Sequence, residues 1–202
     1  MLDTAMRPVI DRPLNAMGRR LAAMGIGADE VTLFGLALGL MAALMIALGL
    51  SGWLVLVPLF LNRLADGLDG AVARATVKTD FGGYLDLTCD FLFYGAIPLA
   101  FAFRDADQNA LATGFLLLCF YVNGASFLGY AALAAKAGME TDAQGEKSLY
   151  YAAGLMEGTE TIVFFTLFAL FPGLFPALAV LFGLLCLITA GARLVLARRV
   201  FG

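Results

Sequence analysis

Apolar residues in this chain come in long unbroken runs separated by short polar breaks, the pattern of helices that cross a bilayer. Val31 to Leu50 carries no charge over twenty positions, and at about 1.5 Å per residue that run crosses a hydrocarbon core of about 30 Å. Similar runs at 53–75, 85–103, 110–135, 149–170 and 177–196 predict five more spans. Residues 1–30 hold Asp3, Arg7, Asp11, Arg12, Arg19 and Arg20 with Pro8 and Pro13, too polar a stretch for the start of a cleavable signal. Leu14, Met17, Leu21 and Met24 recur there at helical spacing, so this segment is expected to lie at the interface as an amphipathic helix. The expected fold is all-α: an interfacial segment over residues 1–30, then a six-helix membrane bundle over residues 31–202.

The placement of charge orients that bundle. Twelve of the thirteen Lys and Arg lie at the N-terminus, at 63, 74, 78, 136 and 147, or at 193, 198 and 199, all on one expected side, and only Arg104 lies on the other. By the positive-inside rule both termini face the cytoplasm, as expected for a bacterial-type inner membrane. Composition agrees, with 61% hydrophobic and 14% charged residues where a soluble domain has about 25% charged. A net charge of −3 offers nucleic acid no basic face. Histidine is absent, which leaves acid–base work to carboxylates, Lys, Tyr or Cys. Cys89, Cys119 and Cys186 stand singly in apolar runs and read as small buried hydrophobes.

The exception to this apolar pattern is the stretch from Asn62 to Asp90. Asp66 and Asp69 are three apart near the end of the second span, and Asp86 and Asp90 are four apart at the start of the third. Each pair therefore shares a helix face, and the turn between the spans lets all four converge near the cytoplasmic interface. One carboxylate at membrane depth costs about 2.5–3.5 kcal/mol, so four together call for cations. Any one of these acids would ordinarily pair with Arg63, Arg74 or Lys78, but four on facing stripes form a site. Oxygen ligands without His or Cys favour hard divalent ions, and four carboxylates suit two ions about 3.5–4 Å apart, the usual clamp for displacement at phosphorus. Gly70 and Gly82-Gly83 keep side chains away where a polyanion would approach the backbone, and Arg74 can grip a phosphate.

The pattern Asp66-x-x-Asp69-Gly70-x-x-Ala73-Arg74, followed by Gly82-x-x-x-Asp86-x-x-x-Asp90, resembles the signature of the CDP-alcohol phosphatidyltransferases, membrane enzymes of phospholipid biosynthesis. The family usually has eight residues between the Arg and the second Gly, and this chain has seven. Asp29 and Thr32 fit loosely the Pro-Asn-x-x-Thr that many members carry before the first helix. The resemblance implies that Asp66, Asp69, Asp86 and Asp90 hold two magnesium or manganese ions and that Asp90 also serves as general base. Gly70, Ala73, Arg74 and Gly82, with Asp29 and Thr32, would then receive the CDP-alcohol. It also implies a homodimer, and a reaction in which an acceptor alcohol attacks CDP-diacylglycerol and CMP leaves.

The acceptor end is less distinct. Lys147 and Arg193 are cytoplasmic candidates for an anionic acceptor, with snorkelling as the simpler role for Arg193. Glu157 and Glu160 share a face inside the fifth span, where they would contact an acceptor or brace a neighbouring helix. Intramembrane acids also mark cation pathways, so a small transporter or channel is the rival reading. Clustering of the acids at one interface opposes it. Without the four site aspartates, twelve acids remain against thirteen basic residues, so the negative balance belongs to the site.

Overall fold

A computed structural model describes residues 2–139 and 158–202, with side chains from residue 12 onward. Among the described residues the chain is helical without strands. Helices α1 (Leu2–Ala23), α2 (Ala28–Ala47), α3 (Gly52–Ala75), α4 (Asp80–Arg104), α5 (Ala106–Lys136) and α6 (Gly158–Leu170) are followed by a 3-10 turn at Pro172–Leu174 and α7 (Phe175–Phe201). Four of these, α2, α4, α5 and α7, are long and apolar enough to cross a membrane. The 24 residues of α3 include Arg63, Asp66 and Asp69, and the described part of α6 has 13 residues. Leu33 and Phe34 on α2, Leu111 and Leu118 on α5, and Leu184 and Ile188 on α7 are exposed, an outer surface suited to lipid rather than water.

The helix ends follow local chemistry. Gly49 closes α2 at φ 73°, with Leu50 N–H donating to Met45 O and Gly49 N–H to Ile46 O, a Schellman ending. Thr79 caps α4 by accepting from Gly82 N–H at 3.0 Å, and Asp105 caps α5 by accepting from Gln108 N–H at 3.1 Å.

The interior is built on aromatic rings. Phe93, Phe101, Phe165, Phe168, Phe175 and Phe182 are fully buried, with Phe101 stacked on Phe175 at 4.3 Å. The free thiols Cys89, Cys119 and Cys186 are buried as well. Because lipid is as apolar as the helix surfaces, association depends on close fit and small residues. Gly35 and Gly39 supply that fit on α2, against Ala65 of α3 and Phe93 of α4 respectively. Consequently α3 and α4 both pack along α2, and their polar faces meet across the space beside it.

The N-terminal helix packs on α3, and its inward face differs from the expected one. Leu14, Leu21 and Ala22 pack against Val31, Ala65, Leu68 and Val72, while Met17 and Met24 are 42% and 73% exposed. The cause is Gly18, where a Cβ would lie 2.7 Å from the Ala71 backbone. That approach turns the Leu14–Gly18–Leu21 stripe inward.

Candidate active site

The second half of α3 and the first half of α4 run antiparallel across the four-residue connection 76–79. The structure brings Asp66, Asp86 and Asp90 together, with one carboxylate oxygen from each within 4.8 Å of the others. Asp69 lies one turn further along α3 and is buried, 6% exposed. Its Oδ2 accepts from Thr32 Oγ1 of α2 at 2.8 Å, and its Oδ1 lies 2.5 Å from Gly70 N–H. All four acids line one small polar cleft with Thr32, Asn62 and Arg63. An all-oxygen donor set fits a hard divalent ion, and three convergent carboxylates supply enough ligands to hold one.

Sequence reasoning treated Arg63 as one generic partner among three and passed over Asn62 and Tyr94. Arg63 Nη2 donates to Asp90 Oδ1 at 2.9 Å, and Nη1 lies 3.5 Å from Asp66 Oδ2 and 3.3 Å from Tyr94 Oη. Two spacings carried the signal. Arg63 precedes Asp66 by three residues, and Tyr94 follows Asp90 by four, so both lie on the acid-bearing faces.

The residues expected around a donor are placed nearby. Arg74 Nη1 stands over Gly70, 3.3 Å from where a Cβ would sit, while Arg74 Nε and Nη2 donate to Asn15 Oδ1 of α1 at 3.2 and 3.0 Å. A Cβ on Gly82 would lie 3.2 Å from Asp29 Oδ1, so the N-termini of α2 and α4 adjoin. Ala73, half-buried, follows on α3.

Of the expected acceptor residues, Arg193 and Glu160 are among those described. Arg193 does not snorkel; it is buried between α7 and α5, where Nη1 donates to Asn123 O, Asn123 Oδ1 and Ser126 Oγ at 3.2, 3.1 and 2.8 Å. Its guanidinium also lies over the Phe127 ring at 5.6 Å. Glu160 is half-buried in the first turn of α6. Lys147 and Glu157 lie outside the described residues.

Comparison with known proteins agrees with this geometry. Residues 26–191 match the family model for CDP-alcohol phosphatidyltransferase. The chain is 47% identical over 195 residues to the inner membrane protein YnjF of Escherichia coli, covering 96% of this chain and 93% of that one. It is 39% identical over 101 residues to the archaetidylinositol phosphate synthase of Pyrococcus horikoshii, or 48% and 52% of the two chains. The crystal structure of Mycobacterium tuberculosis phosphatidylinositol phosphate synthase with CDP-DAG bound has a TM-score of 0.69 at 25% identity, over 91% of this chain and 92% of that one. The same enzyme with manganese and citrate aligns at a TM-score of 0.68 and 24% identity, covering 90% and 87%, a likeness of fold. The family match spans most of the chain and includes every acid of the cleft, so this protein belongs to the CDP-alcohol phosphatidyltransferase family and is a phosphotransferase enzyme.

Proposed function

We propose that the protein transfers the phosphatidyl group of CDP-diacylglycerol to an acceptor alcohol and releases CMP, in an inner membrane with both chain ends and the site on the cytoplasmic side. The observation that carries this reading is the convergence of Asp66, Asp86 and Asp90 within 4.8 Å beside a buried Asp69. CDP-DAG in a structural relative and the inner-membrane name of the Escherichia coli relative support the donor and the location.

In this reading Asp66, Asp69, Asp86 and Asp90 hold two magnesium or manganese ions. When bound, these offset phosphate charge and polarise the bond to be broken. Asp90 takes the proton of the acceptor hydroxyl. The acceptor oxygen forms a bond to the lipid-bearing phosphorus, the bond from that phosphorus to the bridging oxygen breaks, and CMP departs with the electron pair. Arg74 Nη1 over Gly70 meets the diphosphate. Gly82 leaves room beside Asp29, and Ala73 and Thr32 complete the donor side. Glu160, with Lys147, Glu157 and Arg193, would bear on acceptor choice.

Purified protein given labelled CDP-diacylglycerol, magnesium or manganese, and a panel of neutral and anionic alcohols tests the reading. CMP release that requires one alcohol and stops with EDTA is expected. No CMP with any alcohol under either metal overturns it.

The Asn15 contact adds a kinetic prediction. Asn15→Ala removes the acceptor of two exposed hydrogen bonds from Arg74, each worth about 0.5 kcal/mol, the low end of the net range. Steady-state kinetics should show the KM for CDP-diacylglycerol raised ~3–10-fold with kcat within about twofold, because the interaction serves binding alone.

A further inference from the structure

The transfer chemistry gives Arg63 no task, yet its guanidinium touches Asp66 and Asp90 and is held from several directions. Asn62, 4% exposed, donates its Nδ2 to Gly35 O of α2 at 2.8 Å. That bond fixes the amide and presents its Oδ1 to Arg63 Nε at 2.9 Å. The rings of Phe93 and Tyr94 lie 5.0 and 5.6 Å from the guanidinium carbon, a cation–π arrangement. With Nε engaged, the planar fork directs Nη2 to Asp90 Oδ1 at 2.9 Å and Nη1 towards Asp66 and Tyr94. Asp90 Oδ2 accepts a long bond, 3.4 Å, from Tyr94 Oη and faces the carboxylates of Asp66 and Asp86.

We infer that Arg63 is a positioning residue of the transfer site: it holds Asp90 by Oδ1, so that Oδ2 is the oxygen offered to the cleft, and its charge balances the converging acids. Positioning needs the fork, whereas charge balance needs only a cation. Lysine keeps the charge but cannot satisfy Asn62, Asp66 and Asp90 in one plane. The two halves of the inference therefore separate in experiment. The positioning half rests on the proposed transfer reaction, and the charge half rests on the contacts alone.

Arg63→Gln and Arg63→Lys, purified beside the native enzyme, are melted in EDTA and in saturating manganese and assayed for CMP release. Arg63→Gln should melt roughly 4–8 °C lower in EDTA, because breaking a partly buried ion pair leaves its acids uncompensated, and manganese should recover more of that loss than it adds to the native protein. Its kcat should fall about 10–100-fold, the range for loss of a partner that orients a site carboxylate, with the donor KM little changed. Arg63→Lys should melt as the native protein does in EDTA yet keep the low kcat. Equal melting losses with and without manganese, together with native kcat, overturn the inference and leave packing alone. If Arg63→Gln does not accumulate, native kcat in Arg63→Lys overturns positioning. Native enzyme that releases no CMP sinks the transfer reading instead, and the melting contrast still decides the charge half.

Discussion

Asp90→Asn should lower kcat for CMP release by about 10³-fold or more while leaving the protein folded. A positioned general base is worth about 10²–10⁴-fold, and an amide oxygen takes no proton near neutral pH. The change also removes one of three carboxylates that converge within 4.8 Å, which weakens divalent-ion affinity. Stability should change little. The Asn oxygen still accepts from Arg63 Nη2, Arg63 keeps Asp66 at 3.5 Å, and one like charge has left the cleft. Asp86→Asn should resemble it in metal dependence, since Asp86 belongs to the same cluster. Asp69→Asn differs, because the amide oxygen can still accept from Thr32 Oγ1 and the three-carboxylate cluster survives. Its loss should be smaller at saturating metal and larger at limiting metal. CMP release at stepped metal concentrations, with circular dichroism to confirm helix content, separates these variants. An Asp90→Asn enzyme with native kcat rules out Asp90 as base.

Much of the site was legible because its spacing is helical. Asp66 with Asp69, and Asp86 with Asp90, declare shared faces without tertiary information, and the Gly-containing stretch 76–83 between two apolar runs reads as the turn that makes the two helices antiparallel neighbours. The long apolar runs gave α2, α4, α5 and α7 for the same reason, one face after another meeting lipid. Helix ends were less legible. The hydropathy reading began the third span at 85 where α4 starts at Asp80, and the fourth at 110 where α5 starts at Ala106. Polar caps such as Thr79 and Asp105 add turns that apolarity does not register. In α3 the site itself dilutes the hydropathy, since Arg63, Asp66 and Asp69 interrupt the run that would otherwise mark a span.

Contacts between helices were least legible. Nothing in the spacing says that Arg63 reaches Asp90, 27 residues away, because that depends on the rotation of α3 and α4 about their axes. Nor does it pair Arg74 with Asn15, which needs α1 seated on α3 through Gly18. Arg193 shows the same limit. Its place near the C-terminus suggests snorkelling, whereas Asn123 and Ser126 on α5 offer it a half-buried set of acceptors that only the packed bundle assembles.

The rotation of α3 and α4 is itself set by a glycine, which leads to the largest expected loss of stability. Gly39→Val should destabilise the protein by about 3 kcal/mol, at the upper end of overpacking costs, or ~6–12 °C in melting temperature for a chain of this size. A Cβ there would lie 2.5 Å from Phe93 Cδ2 and 3.1 Å from Asn62 Nδ2. Phe93 cannot retreat, because it is 1% exposed and meets Phe165 edge-on at 5.7 Å. Asn62 cannot retreat without releasing Gly35 O. Either movement shifts Phe93 from beneath the Arg63 guanidinium, or Asn62 from beside it, so Asp90 loses its support together with the helix contact. The fraction that remains folded should therefore be less active per molecule as well as less stable. Gly114→Ala is the control, since nothing lies within 4 Å of its added methyl and alanine favours a helix by up to about 1 kcal/mol. Thermal melts paired with kcat measured well below the melting point decide the matter. If Gly39→Val melts with Gly114→Ala, the α2–α4 approach does not set the frame of the site. If Gly39→Val melts early but turns over normally at low temperature, the helix contact and the Asn62–Arg63–Asp90 chain are independent of each other.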